Sequence, residues 1–195
     1  MPNSRRRPAD AADGGAAPNA APRVESFPPQ VGAGCRVLVL GTVPSLASLA
    51  RRQSYAHPQN LFWPFMGELY DAGPEHAYAE RIARLHARGL GIWDVLERCE
   101  RRGSLDSDII VASEVANDIP GLLAREATIV AIALNGAKAL QVYRRRIEPA
   151  IDAVRRERIA VLALPSTSPA NASISRMDKL ERWRELLAWT HSAAG

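Results

Sequence analysis

The sequence predicts an α/β fold, a three-layer αβα sandwich built on a central four-stranded, mainly parallel sheet. Two observations carry that expectation. From Cys35 onward, short β-branched apolar runs alternate with longer amphipathic stretches, the order that parallel strand pairing requires. The runs are also apolar at nearly every position, as in strands covered on both faces. In chain order the first strand is expected at residues 36–41. A helix at 64–70 follows, opening on Pro64, and another at 75–88 places Ala79, Ile82, Ala83 and Leu85 on one face. The next strands are expected at 91–95 and 129–134. A helical stretch at 137–158 is interrupted by Pro149, the last strand lies at 159–164, and a final helix at 177–190 turns Leu180, Trp183, Leu187 and Trp189 toward the sheet.

The chain has 195 residues, 47% of them hydrophobic, enough for one domain with a core. Its longest apolar run, around Thr128 to Leu134, is far short of the ~20 residues that cross a bilayer, so no membrane partner is expected. Two cysteines, Cys35 and Cys99, build neither a disulfide framework nor a four-cysteine zinc site, and a cytoplasmic protein is expected. A net charge of +4 permits nucleic acid without requiring it. Residues 1–34 are rich in Ala, Pro, Gly and Asn and show no hydrophobic period, which predicts a disordered tail before a domain at 35–195. The tail does not carry the charge bias.

Ligand sites in such sheets form at the carboxyl ends of the strands, so the residues after each apolar run are the candidates. Gly41-Thr-Val-Pro-Ser45 follows the first strand, Asn135-Gly136 the third, and Pro165-Ser-Thr-Ser-Pro-Ala-Asn171 the fourth. A nucleotide cofactor is not expected: neither G-x-G-x-x-G nor a phosphate-cradling G-x-x-x-x-G-K-[ST] occurs, and Pro44 removes an amide from the first turn. No metal is expected either, because His57, His76, His86 and His191 have no Cys or carboxylate at ligand spacing. The segment Ser54-Tyr-Ala-His-Pro-Gln-Asn-Leu-Phe-Trp-Pro-Phe-Met-Gly-Glu-Leu69 combines a proline-constrained polar loop with an aromatic cluster. It reads either as a loop packed on the sheet or as a pocket wall with Asn60 at its rim.

Gly41-Thr-Val-Pro-Ser45, Tyr55-Ala-His-Pro-Gln-Asn-Leu-Phe-Trp63 and Leu164-Pro-Ser-Thr-Ser-Pro-Ala-Asn171, supported by Ile92-Trp-Asp-Val-Leu96, Gly103-Ser-Leu-Asp106 and Asn135-Gly-Ala-Lys138, resemble the hypoxanthine-DNA (deoxyinosine) glycosylases of the uracil-DNA glycosylase superfamily. The resemblance spans about residues 36–187. It implies a uracil-DNA glycosylase-like fold and a monofunctional glycosylase that extrudes a deaminated base, chiefly hypoxanthine, and hydrolyses its N-glycosidic bond in base-excision repair. Asn60 matches the family's catalytic asparagine, suited to orienting one water; as an alternative it caps the helix that follows. Gly41, Thr42, Pro44, Ser45, Tyr55, His57, Phe62, Trp63 and Asn135 are the expected base-binding residues, with Asn135 on the base edge and Phe62 or Trp63 offering a π-face. Ser166, Thr167, Ser168, Pro169 and Asn171 are expected on DNA, or else form an ordinary turn before a helix capped by Ser173 or Ser175.

The efficient uracil glycosylases carry a carboxylate after the first strand and a histidine before the Pro-Ser of the last loop; here those places hold Thr42-Val43 and Leu164, which favours a purine substrate. The expected partner is double-stranded DNA containing a deaminated base, bound by a monomer without metal or cofactor. Two rivals stand beside this: a mismatch-specific uracil/thymine glycosylase, and a non-catalytic lesion-binding domain. Lys138 and Lys179, on expected helices, argue against a lysine nucleophile.

Overall fold

The structure, a computed structural model, describes residues 21–190. In chain order its strands are β1 (Arg23–Glu25), β2 (Val37–Gly41), β3 (Leu90–Asp94), β4 (Leu96–Glu100), β5 (Val115–Ala116), β6 (Ala131–Asn135) and β7 (Ala160–Leu164). The helices are α1 (Leu46–Arg51), α2 (Phe62–Tyr70), α3 (Tyr78–Ala87), α4 (Ile119–Arg125), α5 (Ala137–Val142), α6 (Ala153–Glu157) and α7 (Arg176–Trp183). The central sheet runs β3-β2-β6-β7 and every pairing in it is parallel. Among the described residues no helix is long and apolar enough to cross a membrane.

The period of two along the strands sorts side chains to two cores. Leu38, Leu40, Ile132 and Leu134 pack on one face with Leu122 and Leu123 of α4 and Ala139 and Val142 of α5. Val37, Val39, Ala131 and Ala133 face the other way, onto Phe62, Phe65 and Met66 of α2, Leu85 of α3 and Trp183 of α7. Burial on both faces is why these strands read as unbroken apolar runs.

Several expectations change. The tail expected at 1–34 ends sooner: β1 pairs antiparallel with β4, Val24 is buried in that core, and Gln30 exchanges backbone hydrogen bonds with Ile92. One buried valine between two charged residues was too little for a periodicity to reveal. The rest of that expectation, and His191, lie outside the described residues. The stretch 137–158 breaks into α5, a π turn at Tyr143–Ile147, a 3-10 turn carrying Pro149, and α6. In α3 it is Tyr78, Ile82 and Leu85 that pack inward, while Ala79 and Ala83 are exposed. After Trp183 the chain tightens into a 3-10 helix, so the next residue facing the core is Leu186, three positions on, and Leu187 is exposed.

Candidate active site

The strand ends build one cavity of about 440 Å³, within the ~300–1,000 Å³ usual for ligand sites. Gly41, Thr42, Pro44 and Ser45 after β2, Asp94 at the end of β3, Asn135 at the end of β6, and Ser166, Thr167, Ser168 and Asn171 after β7 all line it. Tyr55 and Asn60 enter from the loop before α2. His57, Phe62, Trp63 and Pro169 do not line the cavity.

Asn60 is fixed by three hydrogen bonds. Its N–H donates to the His57 carbonyl (2.9 Å), the next N–H, of Leu61, donates to the Thr167 carbonyl (3.0 Å), and its Oδ1 accepts from the Phe62 N–H (2.9 Å). Leu61, not Asn60, stands at the cap position of α2; Asn60, one residue before it, takes up the helix's first N–H from outside, and that bond aims the amide. The Nδ2 group makes no hydrogen bond among the described residues and remains available.

Thr167 is the knot of the site. Its N–H donates to Asn135 Oδ1 and its hydroxyl accepts from Asn135 Nδ2, both at 2.9 Å, while its carbonyl holds Leu61. Thr167 is fully buried, which overturns its expected contact with DNA: the hydroxyl is committed to Asn135. Asn135 in turn spends one N–H and one lone pair on Thr167 and lies against the Tyr55 hydroxyl. Beyond Thr167 the loop braces itself. Ser168 N–H donates to Ser166 Oγ, Asn171 N–H to the Ser168 carbonyl, and the buried Lys179 ammonium to the Asn171 carbonyl, while Pro169 and Ala170 stand exposed at its crown. Burial pulls the Lys179 ammonium below the ordinary lysine value. Ser175 caps α7 by accepting from Asp178 N–H.

The aromatic cluster is placed differently from expectation. Phe62 and Trp63 are buried in the core, and Trp63 donates to the Ser54 carbonyl, so neither offers a face to a base. Phe62 instead backs the Tyr55 ring, stacked at 3.9 Å and 20°. His57 turns its Nδ1 to the Gln59 N–H at the loop surface. Ser45 lines the cavity but is engaged as the cap of α1.

Two carboxyls reach the cavity although none follows the first strand. Asp106 stands at the rim and accepts from Thr42 Oγ1 (3.1 Å); the surrounding protein pushes its carboxyl upward, against the pull of that bond. Asp94 keeps a little accessible surface at the cavity wall, and burial on its other sides pushes it up to about 7, with Asp106 raising it and Ser26 and Arg101 opposing. Its Oδ2 accepts from Ser26 Oγ (3.2 Å). Arg101, also buried, donates to the Pro44 carbonyl. The reading of the sequence gave Asp94 and Arg101 no role. The available signal was one acid closing the apolar run Gly91-Ile-Trp-Asp94.

Contrary to the spacing argument, His76 does have carboxylate neighbours: ligand atoms of Asp71, Glu75 and His76 lie within 4.8 Å of one another. None of the three lines the cavity, and Arg84 already pairs with Asp71.

The sequence profile of the Uracil DNA glycosylase superfamily matches residues 28–188. The chain is 32% identical over 151 residues to a hypoxanthine DNA glycosylase of Methanosarcina acetivorans, covering 77% of this chain and 89% of that one. It is 31% identical over 86 residues to a hypoxanthine DNA glycosylase of Methanosarcina barkeri, covering 44% of this chain and 54% of that one. A solution NMR structure of a candidate uracil DNA glycosylase from Methanosarcina acetivorans superposes with a TM-score of 0.67 at 30% identity, over 85% of this chain and 99% of that one.

Proposed function

The chain belongs to the uracil DNA glycosylase superfamily, and from that premise we propose that it is a monofunctional DNA glycosylase hydrolysing the N-glycosidic bond of deoxyinosine in double-stranded DNA. The observation that carries the reading is the cavity at the strand ends, with the Asn60 amide fixed on its wall. An extruded base enters that cavity, and the C1′–N9 bond faces Asn60. The bond breaks with its electron pair leaving on the purine, and C1′ passes through an oxocarbenium-like state. One water adds its oxygen to C1′; one of its protons stays on the new hydroxyl and the other ends on the base.

So dissociative a reaction asks for a placed water rather than a strong nucleophile. Asn60 supplies the free Nδ2 donors and the remaining lone pair of Oδ1 for that task. Ser166, Ser168, Pro169 and Asn171 belong to the braced loop that meets the DNA, with the exposed crown entering the minor groove. The hydrolysis requires no metal or organic cofactor. The enzyme acts as a monomer in the cytoplasm, at the nucleoid when bound to DNA.

Duplexes each carrying a single hypoxanthine, xanthine, uracil or mismatched thymine test the assignment, with alkali-labile abasic sites read against time. Hypoxanthine is expected to be released fastest. Faster release of uracil under the same conditions overturns the purine preference, and binding without cleavage of any lesion returns the non-catalytic rival.

A further inference from the structure

The loop after β7 stands as an arch whose two feet are held from beneath by one face of α7. Lys179 and Trp183 lie four residues apart on that helix, one turn from each other and on the same side. Trp183, fully buried, donates its indole N–H to the Pro165 carbonyl (2.9 Å), where the loop leaves β7. Lys179 donates its ammonium to the Asn171 carbonyl, where the loop comes down again. Between the feet, Ala170 N–H donates to Ser168 Oγ (3.3 Å) and Asn171 N–H to the Ser168 carbonyl (3.1 Å). The exposed crown of Pro169 and Ala170 therefore rests on a short closed turn.

Lys179 is the member of this set that packing does not explain. It is 2% exposed, and no carboxylate pairs with it among the described residues. Lysine is almost never buried so completely without a counter-ion, because its ammonium gives up water for a neutral carbonyl. Methionine fills nearly the same space without that cost. What methionine cannot do is hold a carbonyl, and a charge-assisted bond is roughly twice as strong as a neutral one. The groups around the reacting bond have ties of their own: Asn60, Leu61, Thr167 and Asn135 are joined to one another and to His57 and Phe62 by bonds in which Lys179 takes no part.

We propose that Lys179 is a positioning residue for base extrusion: through the Asn171 carbonyl it holds the arch stiff, so that the crown enters the duplex and displaces the damaged base from the stack. The inference rests on the glycosylase reading, in which this loop meets the DNA. Extrusion breaks a base pair and its stacking, a cost offset by what takes the place of the base. An arch ordered before contact brings its crown to the gap without further loss of conformational freedom, whereas a loose one must be ordered first. Hydrolysis draws on Asn60 instead. Lys179 thus governs how often the base is out, while the rate at which its bond then breaks is set elsewhere.

The test compares single-turnover abasic-site formation on two duplexes of one sequence. In the first, hypoxanthine is paired with cytosine; in the second it stands opposite an alkali-stable abasic analogue, so that no pair has to be broken. Lys179→Met is expected to lose at least tenfold on the paired duplex and less than threefold on the unpaired one. Its Tm should stay level or rise, because an unpaired buried charge has gone. Lys179→Gln, whose amide ends one bond short of the ammonium, should show the same selective loss and serves where the methionine variant does not fold. Equal losses on the two duplexes overturn the proposal, since the lysine then only supports the fold, and so does a loss on neither. If the wild type cleaves another lesion but not hypoxanthine, the deoxyinosine reading fails and the same comparison, made with that lesion, still decides the role of Lys179. If the wild type cleaves no lesion, the glycosylase reading fails and takes this inference with it.

Discussion

Replacing Asn60 separates the two jobs its side chain does. Asn60→Ala removes the 2.9 Å bond that satisfies the Phe62 N–H at the start of α2, a loss of about 1 kcal/mol. For a chain of this length that lowers Tm by about 2–4 °C. The same substitution removes the amide that places the water. Misplacing a reacting group by about 1 Å already costs ~10²-fold, so the rate on a hypoxanthine duplex should fall by at least that factor. Asn60→Ser then divides the effects, because serine accepts a helix N–H about as well as asparagine but is too short to hold the water. It should restore Tm to within about 1 °C and leave the rate depressed. The assay is single-turnover abasic-site formation beside a thermal melt on the same preparation. If Asn60→Ala loses its degrees of Tm yet keeps its rate within threefold, Asn60 only supports the start of α2 and the mechanism fails.

Three further outcomes follow from buried groups. Glu114 has a fully buried carboxylate held by Lys138 (2.6 Å) and by the partly solvated Arg145 and Arg146 (3.3 Å), so Glu114→Gln removes the counter-charge of Lys138 and should cost about 1–3 kcal/mol in urea unfolding; a loss under ~0.5 kcal/mol contradicts the buried network. Thr167→Val leaves the Asn135 amide without its partner and should lower stability by ~1–3 kcal/mol, while Thr167→Ser keeps it, as chemical denaturation will tell. Asp94 rises from 3.8 in the unfolded chain to about 7 in the folded one, so between those values the native state holds a proton that the unfolded state has released. Its contribution to stability therefore declines as pH rises from about 4 to 7 and levels off above. Asp94→Asn should gain on the wild type across that window; parallel stability curves would refute the shift.

The central strands were legible because β2 and β6 are buried at all five positions and β7 is apolar at every one of its five. The antiparallel ribbon was not, because β1 buries only Val24 and β5 is two residues long; their place is set by pairing with β4 rather than by pattern. At the site, reading the residues after each strand found Gly41, Thr42, Asn135 and Ser166, since turns at strand ends need small and amide residues. Asp94 escaped because the apolar Val95 and Leu96 follow it, so the expected strand at 91–95 ran past the true end of β3. Thr167 was placed on DNA because a hydroxyl in a Ser-Thr-Ser loop looks free until its partner, 32 residues away in sequence, is known. Phe62 and Trp63 were ambiguous in kind: an aromatic cluster can wall a pocket or fill a core, and only burial decides. The basic charge gave little. Arg145 and Arg146, in the most arginine-rich stretch, are turned onto Glu114.

The most direct test of the account is the identity of what leaves the DNA. A duplex with one deoxyinosine, incubated with the full-length protein and analysed by mass spectrometry, should yield free hypoxanthine in a 1:1 ratio with abasic strand, and borohydride should trap no protein–DNA adduct. Release of inosine nucleotide, a trapped covalent adduct, or an unchanged duplex under conditions where the protein binds it would contradict the account.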